Sequence, residues 1–302
     1  NYFNSVKNIL KFTPLDETKI LEEGDLVQMK DCGHIIEYKD INGPMSFRCL
    51  ECHPFNSMFS LGEKEVVSFI KEIYSGEVLE NHRGLIGKKE LDIYIPGANL
   101  AIEYNGWYWH SSKSPFEESE FRNKHLEKTK LCEEQGINLF HITDLQWSLN
   151  KDIIKSMIKQ KLNQSTRIFA RKCQIKEVPS SEASKFLEEN HLQGKTNSSV
   201  KVGLYYPEEL VSIMTFGKPR FNKKYQWELL RFCNKLETSV VGGASKLLKY
   251  FEDNFKPESL ISYANRDHSM GNLYSKLGLE LIGYSDPSYL WVNDDKILTR
   301  YQ

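Results

Sequence analysis

Residues 88–110 constrain the fold of this chain more than any other stretch, because they place acidic side chains within an apolar strand pair. Their sequence is KKELDIYIPGANLAIEYNGWYWH. The run Pro96-Gly97-Ala98-Asn99 is typical of a turn and is flanked by short apolar strands. Asp92 lies near the start of the first strand, and Glu103 follows 11 positions later in the second. Antiparallel pairing across the turn is therefore expected to bring the two carboxylates side by side.

The expected carboxylate pair indicates a site for a divalent cation. A buried carboxylate without a partner is costly, and hard oxygen ligands suit Mg²⁺ or Mn²⁺. His110, directly after Trp107-Tyr108-Trp109, would add an imidazole to this site. The alternative is that Asp92 caps a turn and Glu103 pairs with a surface lysine. The combination of strand, turn, strand, EYNG and WH favours the metal site.

Residues 63–147 resemble the PD-(D/E)XK nuclease superfamily, especially its very-short-patch-repair-like (Vsr-like) branch and the phage homing endonucleases within it. The segments that carry the resemblance are ELDIYIP and IEYNGWYWH. It implies a nuclease that uses Asp92 and Glu103 as metal ligands and His110 as a catalytic or phosphate-contacting residue. The usual lysine of the final motif is replaced by Asn105, which is the candidate catalytic residue at that position. The group that orients the attacking water is therefore left open.

The residues after the strand pair predict the rest of a small α/β unit. The predicted elements are a helix over Phe121–Gln135, a strand over Ile137–Ile142 and a helix over Lys151–Leu162. This order suits a mixed sheet with packed helices. Together with the resemblance, it predicts a three-layer PD-(D/E)XK (restriction-endonuclease-like) α/β core over residues 59–162. His141 is expected to fill the core without a catalytic role.

A helix is also predicted before the strand pair, over Ser60–Tyr74, from apolar residues at helical spacing. Glu65 lies on this helix. In the nuclease superfamily such a helix often supplies an additional acid, so the resemblance implies that Glu65 joins the metal site. The competing interpretation is that Glu63 caps the helix with Ser60 and that Glu65 is solvated.

Residues 27–58 follow an N-terminal segment, residues 1–26, and contain a set of thiols and imidazoles typical of a zinc-ribbon-like segment. Cys49-x-x-Cys52 can present two thiolates to one ion, and Cys32 lies on what would be the opposite knuckle. Because Zn²⁺ takes four nitrogen or sulfur ligands, the fourth would be His34 or His53. The alternative is a ribbon that keeps its shape by packing alone, with three spare thiols.

The second half, residues 166–302, resembles the fold of GNAT acyltransferases. The features that carry this resemblance are a hairpin over Val200–Phe216, a helix that begins after Gly242-Gly243 and the run LYSKLGL at 273–279. The resemblance implies a GNAT-like α+β domain. The sequence also predicts a strand over residues 166–178 and, at 190–194, a polar loop that could reach a base or a phosphate. Residues 236–243 do not reproduce the acyl-CoA loop pattern of that family, so DNA engagement is the expected use of this domain.

Charge is distributed unevenly between the halves, although the net charge is −1. Residues 151–302 carry 24 Lys and Arg against 17 Asp and Glu, whereas residues 1–150 carry 16 against 24. A basic second half is suited to holding phosphates. Ordinary solvated charge is the alternative for each of the candidate DNA-binding residues, which are Arg83, Arg171, Lys172, His191, Gln193, Lys218, Arg220, Lys223 and Lys224.

These patterns predict a homing-type endonuclease that cleaves double-stranded DNA in the cytoplasm of a phage-infected bacterial cell. The alternatives are a GNAT-type acyltransferase that modifies DNA bases beside a decayed nuclease half, and a DNA-binding protein without chemistry. The sequence shows neither an apolar run of membrane-spanning length nor a secretory signal. Scattered cysteines suit a reducing compartment. The DNA target and the oligomeric state are not predicted by the sequence.

Overall fold

The computed structural model describes residues 12–16, 22, 24–30, 32–38, 49, 61–106, 118–285, 290–293 and 296–299 of the 302-residue chain. In residues 118–124, 290–293 and 296–299 only the backbone is described. Helices and strands alternate through both halves, which confirms the predicted α/β class. No helix within the described residues combines the length and the apolar character needed to cross a membrane.

The N-terminal part forms a small antiparallel sheet. Its strands are β1 (Phe12–Pro14), β2 (Leu26–Met29) and β3 (Ile35–Glu37), in that spatial order. Strand β1 comes from the N-terminal segment and pairs with β2 of the zinc-ribbon-like segment, so the boundary predicted at residue 26 falls inside one sheet. The buried side chains of this sheet pack against Leu145, which attaches it to the central domain.

The central domain, residues 61–161, is built on a four-stranded mixed sheet in the order β4-β5-β6-β7, in which only β6 and β7 are parallel. Its elements are α1 (Leu61–Ile73), β4 (Leu79–Gly84), β5 (Gly87–Ile95), β6 (Leu100–Asn105), α2 (Glu118–Glu134), β7 (Asn138–Thr143), α3 (Asp144–Leu149) and α4 (Lys151–Lys161). The expected turn between β5 and β6 is a single 3₁₀ turn that ends at Asn99, with a left-handed φ of 46°.

The central sheet is covered by helices on both faces. On one face, Ile93 and Ile102 belong to the core that α1 and α4 complete. On the other face, Ala101 and Leu139 pack with Cys132 of α2. Successive strand residues point to opposite faces, so each strand contributes to both cores. The three layers position one acidic face of β5 and β6 beneath α2.

The second half, residues 166–285 with the backbone of 290–293 and 296–299, contains a five-stranded sheet in the order β14-β12-β11-β10-β9, in which only β12 and β14 are parallel. Its elements are β8 (Thr166–Phe169), β9 (Gln174–Glu177), α5 (Ser180–Asn190), β10 (Val200–Tyr205), β11 (Leu210–Gly217), β12 (Trp227–Asn234), β13 (Thr238–Val241), α6 (Gly243–Phe255), β14 (Leu260–Ser262), α7 (Asn272–Lys276), β15 (Leu290–Asn293) and β16 (Lys296–Thr299).

The strand that the sequence predicts over residues 166–178 is divided in the structure. Strands β8 and β9 are separated by a 3₁₀ turn, Ala170–Lys172, and join different sheets. Lys246, in the first turn of α6, donates to the carbonyl oxygens of Ala170 and Cys173 at 2.9 and 2.7 Å. These bonds satisfy carbonyls that a continuous strand would have placed in a ladder. The break therefore depends on a lysine more than 70 residues away.

The two halves meet along β7, which is an edge strand of the central sheet. The backbone N–H of His141 donates to the carbonyl oxygen of Asp267 at 2.8 Å. Nearby, Arg266 forms an ion pair with Glu133 at 2.5 Å, and Lys161 Nζ donates to the carbonyl oxygen of His268 at 2.8 Å. Residues 265–268 therefore cover part of an edge that would otherwise present unpaired backbone groups.

Replacement of Phe251 by alanine is expected to destabilise the second half strongly. Phe251 is fully buried, and its ring stacks on Phe216 with centroids 3.6 Å apart. The lost burial and the cavity should lower the free energy of unfolding by about 3–5 kcal/mol. Urea unfolding measures the change, with Lys249→Ala on the exposed face of the same helix as control. Equal stability losses for the two variants would contradict this packing.

Candidate functional site

The structure brings Asp92 and Glu103 together on one face of the central sheet. Ile93 pairs with Ile102 across the two strands, so the residues on either side of them point toward α2. The backbone N–H of Asp92 donates to Glu103 Oε1 at 3.2 Å, and the N–H of Tyr104 donates to Asp92 Oδ2 at 2.8 Å. Each carboxylate is thus held by a backbone amide of the neighbouring strand.

Lys128 on α2 completes this group, because its ammonium contacts Glu103 Oε2. The contact is sheltered, since the exposed fractions of the Lys128 and Glu103 side chains are 15% and 6%. The side chain lies on the helix face that also carries Cys132, which packs on the sheet. The spacing of His125, Lys128, Thr129 and Cys132 along one helical stripe is the sequence signal that could have indicated Lys128.

Both acids resist ionisation in the absence of a divalent cation. Burial, and then the nearby charge of Asp92, raise the pKa of Glu103 to about 7, against the opposing effect of Lys128. Burial also raises the pKa of Asp92, although the Tyr104 amide and Lys128 lower it. Adjacent carboxylates disfavour each other's charge, and a divalent cation would reverse this. The two residues therefore fit a metal such as Mg²⁺ by their chemistry and burial.

Asn105 lies two residues beyond Glu103 on the same strand, and its side chain meets a buried histidine. Asn105 Nδ2 is 3.2 Å from His141 Nδ1. On the other side of the ring, His141 Nε2 is 3.1 Å from Thr129 Oγ1, which itself donates to the carbonyl oxygen of His125 at 2.9 Å. His141 is buried as expected, but its ring joins the residue at the predicted catalytic position to helix α2. The sequence predicts only a core-filling role for this residue.

Glu65 is placed apart from the carboxylate pair. Its Oε2 accepts hydrogen bonds from Trp147 Nε1 at 2.8 Å and from Lys151 Nζ at 2.6 Å. Helix α1 packs on the sheet face that carries Ile93 and Ile102, opposite to the face that carries Glu103. In this arrangement Glu65 links α1 to α3 and α4. His110 lies outside the described residues, so its place relative to the pair is not defined.

A second cluster lies in the small N-terminal sheet. One ligand atom each from Cys32, His34 and Cys49 falls within 4.8 Å of the others, and Cys49 Sγ is 3.4 Å from His34 Nδ1. Gly33, with a φ of 72°, forms the bend that sets Cys32 and His34 in the connection between β2 and β3. These three residues could hold a metal ion. The other predicted ligands, Cys52 and His53, lie outside the described residues.

Several candidate DNA-binding residues lie on the surface of the protein. Arg83 pairs with Glu90 at 2.7 Å on the β4–β5 hairpin. The exposed members in the second half are Gln193, Arg171 and Lys172 beside the break between β8 and β9, and Lys218, Arg220, Lys223 and Lys224 between β11 and β12. The last four flank Phe221 in the sequence, and the exposed Phe221 and Tyr263 rings meet with their centroids 5.5 Å apart.

Arg220 is the most firmly oriented of these residues. Its backbone N–H, Nε and Nη2 all donate to the carboxylate of Glu228, at 2.6, 3.0 and 2.8 Å. Glu228 is fully buried, whereas the Arg220 side chain is 42% exposed. The guanidinium also lies over the Phe221 ring, 5.6 Å from its centroid. A buried acid thus fixes an exposed cation beside an exposed ring.

His191 is located in the contact between the two halves. The ring is half-buried. Burial, together with the charges of Arg231 and His268, lowers the pKa of His191 to about 3, so it carries no charge at neutral pH. The adjacent Leu192 packs against the core of the central domain. This segment therefore joins the halves, where the sequence had indicated a polar loop able to reach DNA.

No protein-family model and no curated protein matches this chain. Function is therefore inferred from the residues that the fold brings together. The described site contains a sheltered carboxylate pair, an ammonium in contact with one acid, and an amide held by a buried imidazole.

Glu103 should make the unfolding free energy of the metal-free protein decrease as pH rises. Its pKa is 4.5 in a model peptide and about 7 in the folded chain, so the folded state binds more protons between these values. The free energy of unfolding should therefore fall by at most ~3 kcal/mol between about pH 4.5 and about pH 7. Above about pH 7 this contribution should not change further. Glu103→Gln should make this slope smaller in urea unfolding with EDTA, leaving the part that comes from Asp92, whose pKa is also raised.

The matched control for this experiment is Glu127→Gln, an exposed acid on α2 that pairs with Lys89. Addition of Mg²⁺ at pH 8 should stabilise the wild type and the control more than Glu103→Gln, because this substitution leaves Asp92 as the one carboxylate of the pair. Identical pH slopes for wild type and Glu103→Gln would contradict the raised pKa of this acid.

Proposed function

We propose that this chain is a metal-dependent DNA endonuclease of the homing type that hydrolyses phosphodiester bonds in double-stranded DNA. The observation that carries the proposal is the pair of half-buried Asp92 and buried Glu103 with Lys128 in contact. Two adjacent acids whose pKa values are raised by burial are unfavourable as structural elements, whereas they suit a divalent cation. The resemblance of the same residues to PD-(D/E)XK nucleases supports this assignment independently.

Asp92 and Glu103 would hold Mg²⁺ or Mn²⁺ through their carboxylate oxygens. When bound, the cation polarises the scissile phosphate and makes a coordinated water more acidic. Lys128 would contribute positive charge beside Glu103, where the pentacovalent phosphate gains negative charge. Lys128 would thus supply, from helix α2, the positive charge that the motif lysine supplies in the superfamily and that Asn105 lacks. His110 remains the proposed phosphate contact or proton donor, because it follows the metal strand directly.

The surface of the second half would hold the DNA backbone. Lys218, Arg220, Lys223 and Lys224 are exposed cations on the segment that carries Phe221, which meets Tyr263. Phosphate contacts supply affinity without sequence information, and an exposed aromatic ring can pack on a sugar or a base. Arg220 is suited to a fixed contact because Glu228 already holds its guanidinium, so little side-chain entropy is lost on binding.

The N-terminal sheet would be a structural zinc module. Cys32, His34 and Cys49 provide nitrogen and sulfur ligands, which suit Zn²⁺ rather than Mg²⁺. Cys52 or His53 would provide the fourth ligand. Because the sheet packs on Leu145 of α3, zinc would stabilise the N-terminal side of the nuclease domain.

Asp92→Asn should abolish cleavage while leaving DNA binding intact. The substrates are supercoiled plasmid and a randomised DNA library whose cut ends are sequenced, each with Mg²⁺ or with EDTA. Loss of a metal ligand should lower the cleavage rate on the order of 10²-fold or more. Asp152→Asn on the exposed side of α4 is the matched control. Absence of Mg²⁺-dependent cleavage of both substrates, or full activity of Asp92→Asn, would exclude the nuclease proposed here.

Lys128→Met should also reduce cleavage, because it keeps the length of the side chain and removes the charge at Glu103. A loss of about 10–100-fold in single-turnover rate is expected, with unchanged affinity for DNA. Lys130→Met, two residues along the same helix and exposed, is the control. If both variants lose the same activity, the effect comes from the overall charge of α2 and not from the contact with Glu103.

Cys49→Ser should remove bound zinc and lower the melting temperature. Purified wild-type protein should contain about one zinc ion per chain after dialysis, measured by elemental analysis. Cys173→Ser, which alters a buried thiol in the second half, should keep its zinc. Equal zinc contents in the two variants would place the metal elsewhere.

A further inference from the structure

The side chain of Asn105 has a defined orientation, which can be deduced by following the protons of three hydrogen bonds. Thr129 has one hydroxyl proton, and it is donated to the carbonyl oxygen of His125, which can only accept. Thr129 Oγ1 can therefore meet His141 Nε2 only as an acceptor. It follows that His141 carries its proton on Nε2.

The neutral imidazole then has an acceptor at Nδ1. The group that faces Nδ1 is the Asn105 Nδ2 amide, which can only donate, so Nδ1 carries no proton. An acceptor at Nδ1 requires a donor from Asn105, which is the Nδ2 amide group 3.2 Å away. The opposite orientation of the amide would place two acceptors against each other. Asn105 Oδ1 is consequently turned away from His141, on the sheet face that carries Glu103.

We propose that His141 is a positioning residue that sets Asn105 Oδ1 as an acceptor beside the carboxylate pair, where it orients the attacking water. This inference rests on the proposed nuclease function. An asparagine at position 105 cannot supply the charge of the lysine that it replaces, so it needs a different way to act on the attacking water. An amide oxygen can accept a hydrogen from water, but only if the amide is prevented from presenting its N–H₂ group instead.

The fold reinforces this arrangement from both sides of the histidine. His141 lies opposite Glu103 in the parallel β6–β7 register. Its backbone N–H is bound by the carbonyl oxygen of Asp267 from the second half, which restrains the strand that carries the ring. Thr129 lies on α2 next to Lys128, so the helix that provides the ammonium also determines the ring tautomer.

A double-mutant cycle tests whether His141 acts through Asn105. In the wild-type background, His141→Phe should lower the single-turnover cleavage rate by about tenfold or more with unchanged DNA affinity. In the Asn105→Ala background the same substitution should change the rate less than about twofold. His82→Phe, which alters a histidine stacked on Tyr94 in the outer hairpin, is the control. Equal losses in both backgrounds would overturn the proposal, since they would show a general packing effect.

A spectroscopic measurement decides the same point without cleavage. Long-range proton–nitrogen correlation of histidine-labelled protein should show His141 as a neutral ring protonated at Nε2, identified by comparison with His141→Phe. Thr129→Val removes the acceptor and should abolish the preference for this single tautomer. A ring protonated at Nδ1 in the wild type would overturn the proposal. If the wild type cleaves no DNA, the nuclease assignment fails, while the tautomer and the orientation of Asn105 are still determined.

Discussion

The carboxylate pair of half-buried Asp92 and buried Glu103 is the constraint on which the central domain depends. Two adjacent carboxylates under a helix are tolerated only if something compensates their charge. In the described structure the compensation comes from the backbone amides of Asp92 and Tyr104 and from Lys128. The pairing register of β5 and β6 and the position of α2 must therefore both be correct for the acids to be accommodated. The same requirement makes the pair a suitable holder for a cation.

Strand register transmits this requirement to the rest of the sheet. A slip of one residue between β5 and β6 would move Asp92 to the face occupied by Ile93 and Ile102, where an acid has no partner. The apolar core around Ile93 and Ile102 therefore fixes the strand register that keeps Asp92 and Glu103 on the opposite face of the sheet. Strand β7 continues the alignment by placing His141 opposite Glu103. Because residues 265–268 bind the edge of β7, the second half contributes to the site although its own sheet lies elsewhere.

Local patterns in the sequence were sufficient for helices α1, α2, α4 and α6 and for the strand pair and its turn, since each depends on periodicity or turn chemistry within about fifteen residues. They were insufficient wherever a distant side chain decides the outcome. Lys128 and His141 are 25 and 36 residues from their partners Glu103 and Asn105. Lys246 breaks a predicted strand from 76 residues away. Leu192 lies in the predicted polar loop, but its side chain packs against the apolar core of the central domain.

Lys128 provides a positive charge near position 105, where the resemblance to the nuclease superfamily leads one to expect a lysine. A lysine at position 105 would extend from the same face as Glu103, with its Cα roughly 7 Å further along the strand. Lys128 reaches the Glu103 carboxylate from the helix above, so a positive charge is present at the acids even though the strand lacks one. In the nuclease proposed here, two tasks would be divided between two residues. Helix α2 would provide the charge through Lys128, and position 105 would hold a neutral acceptor whose direction His141 sets.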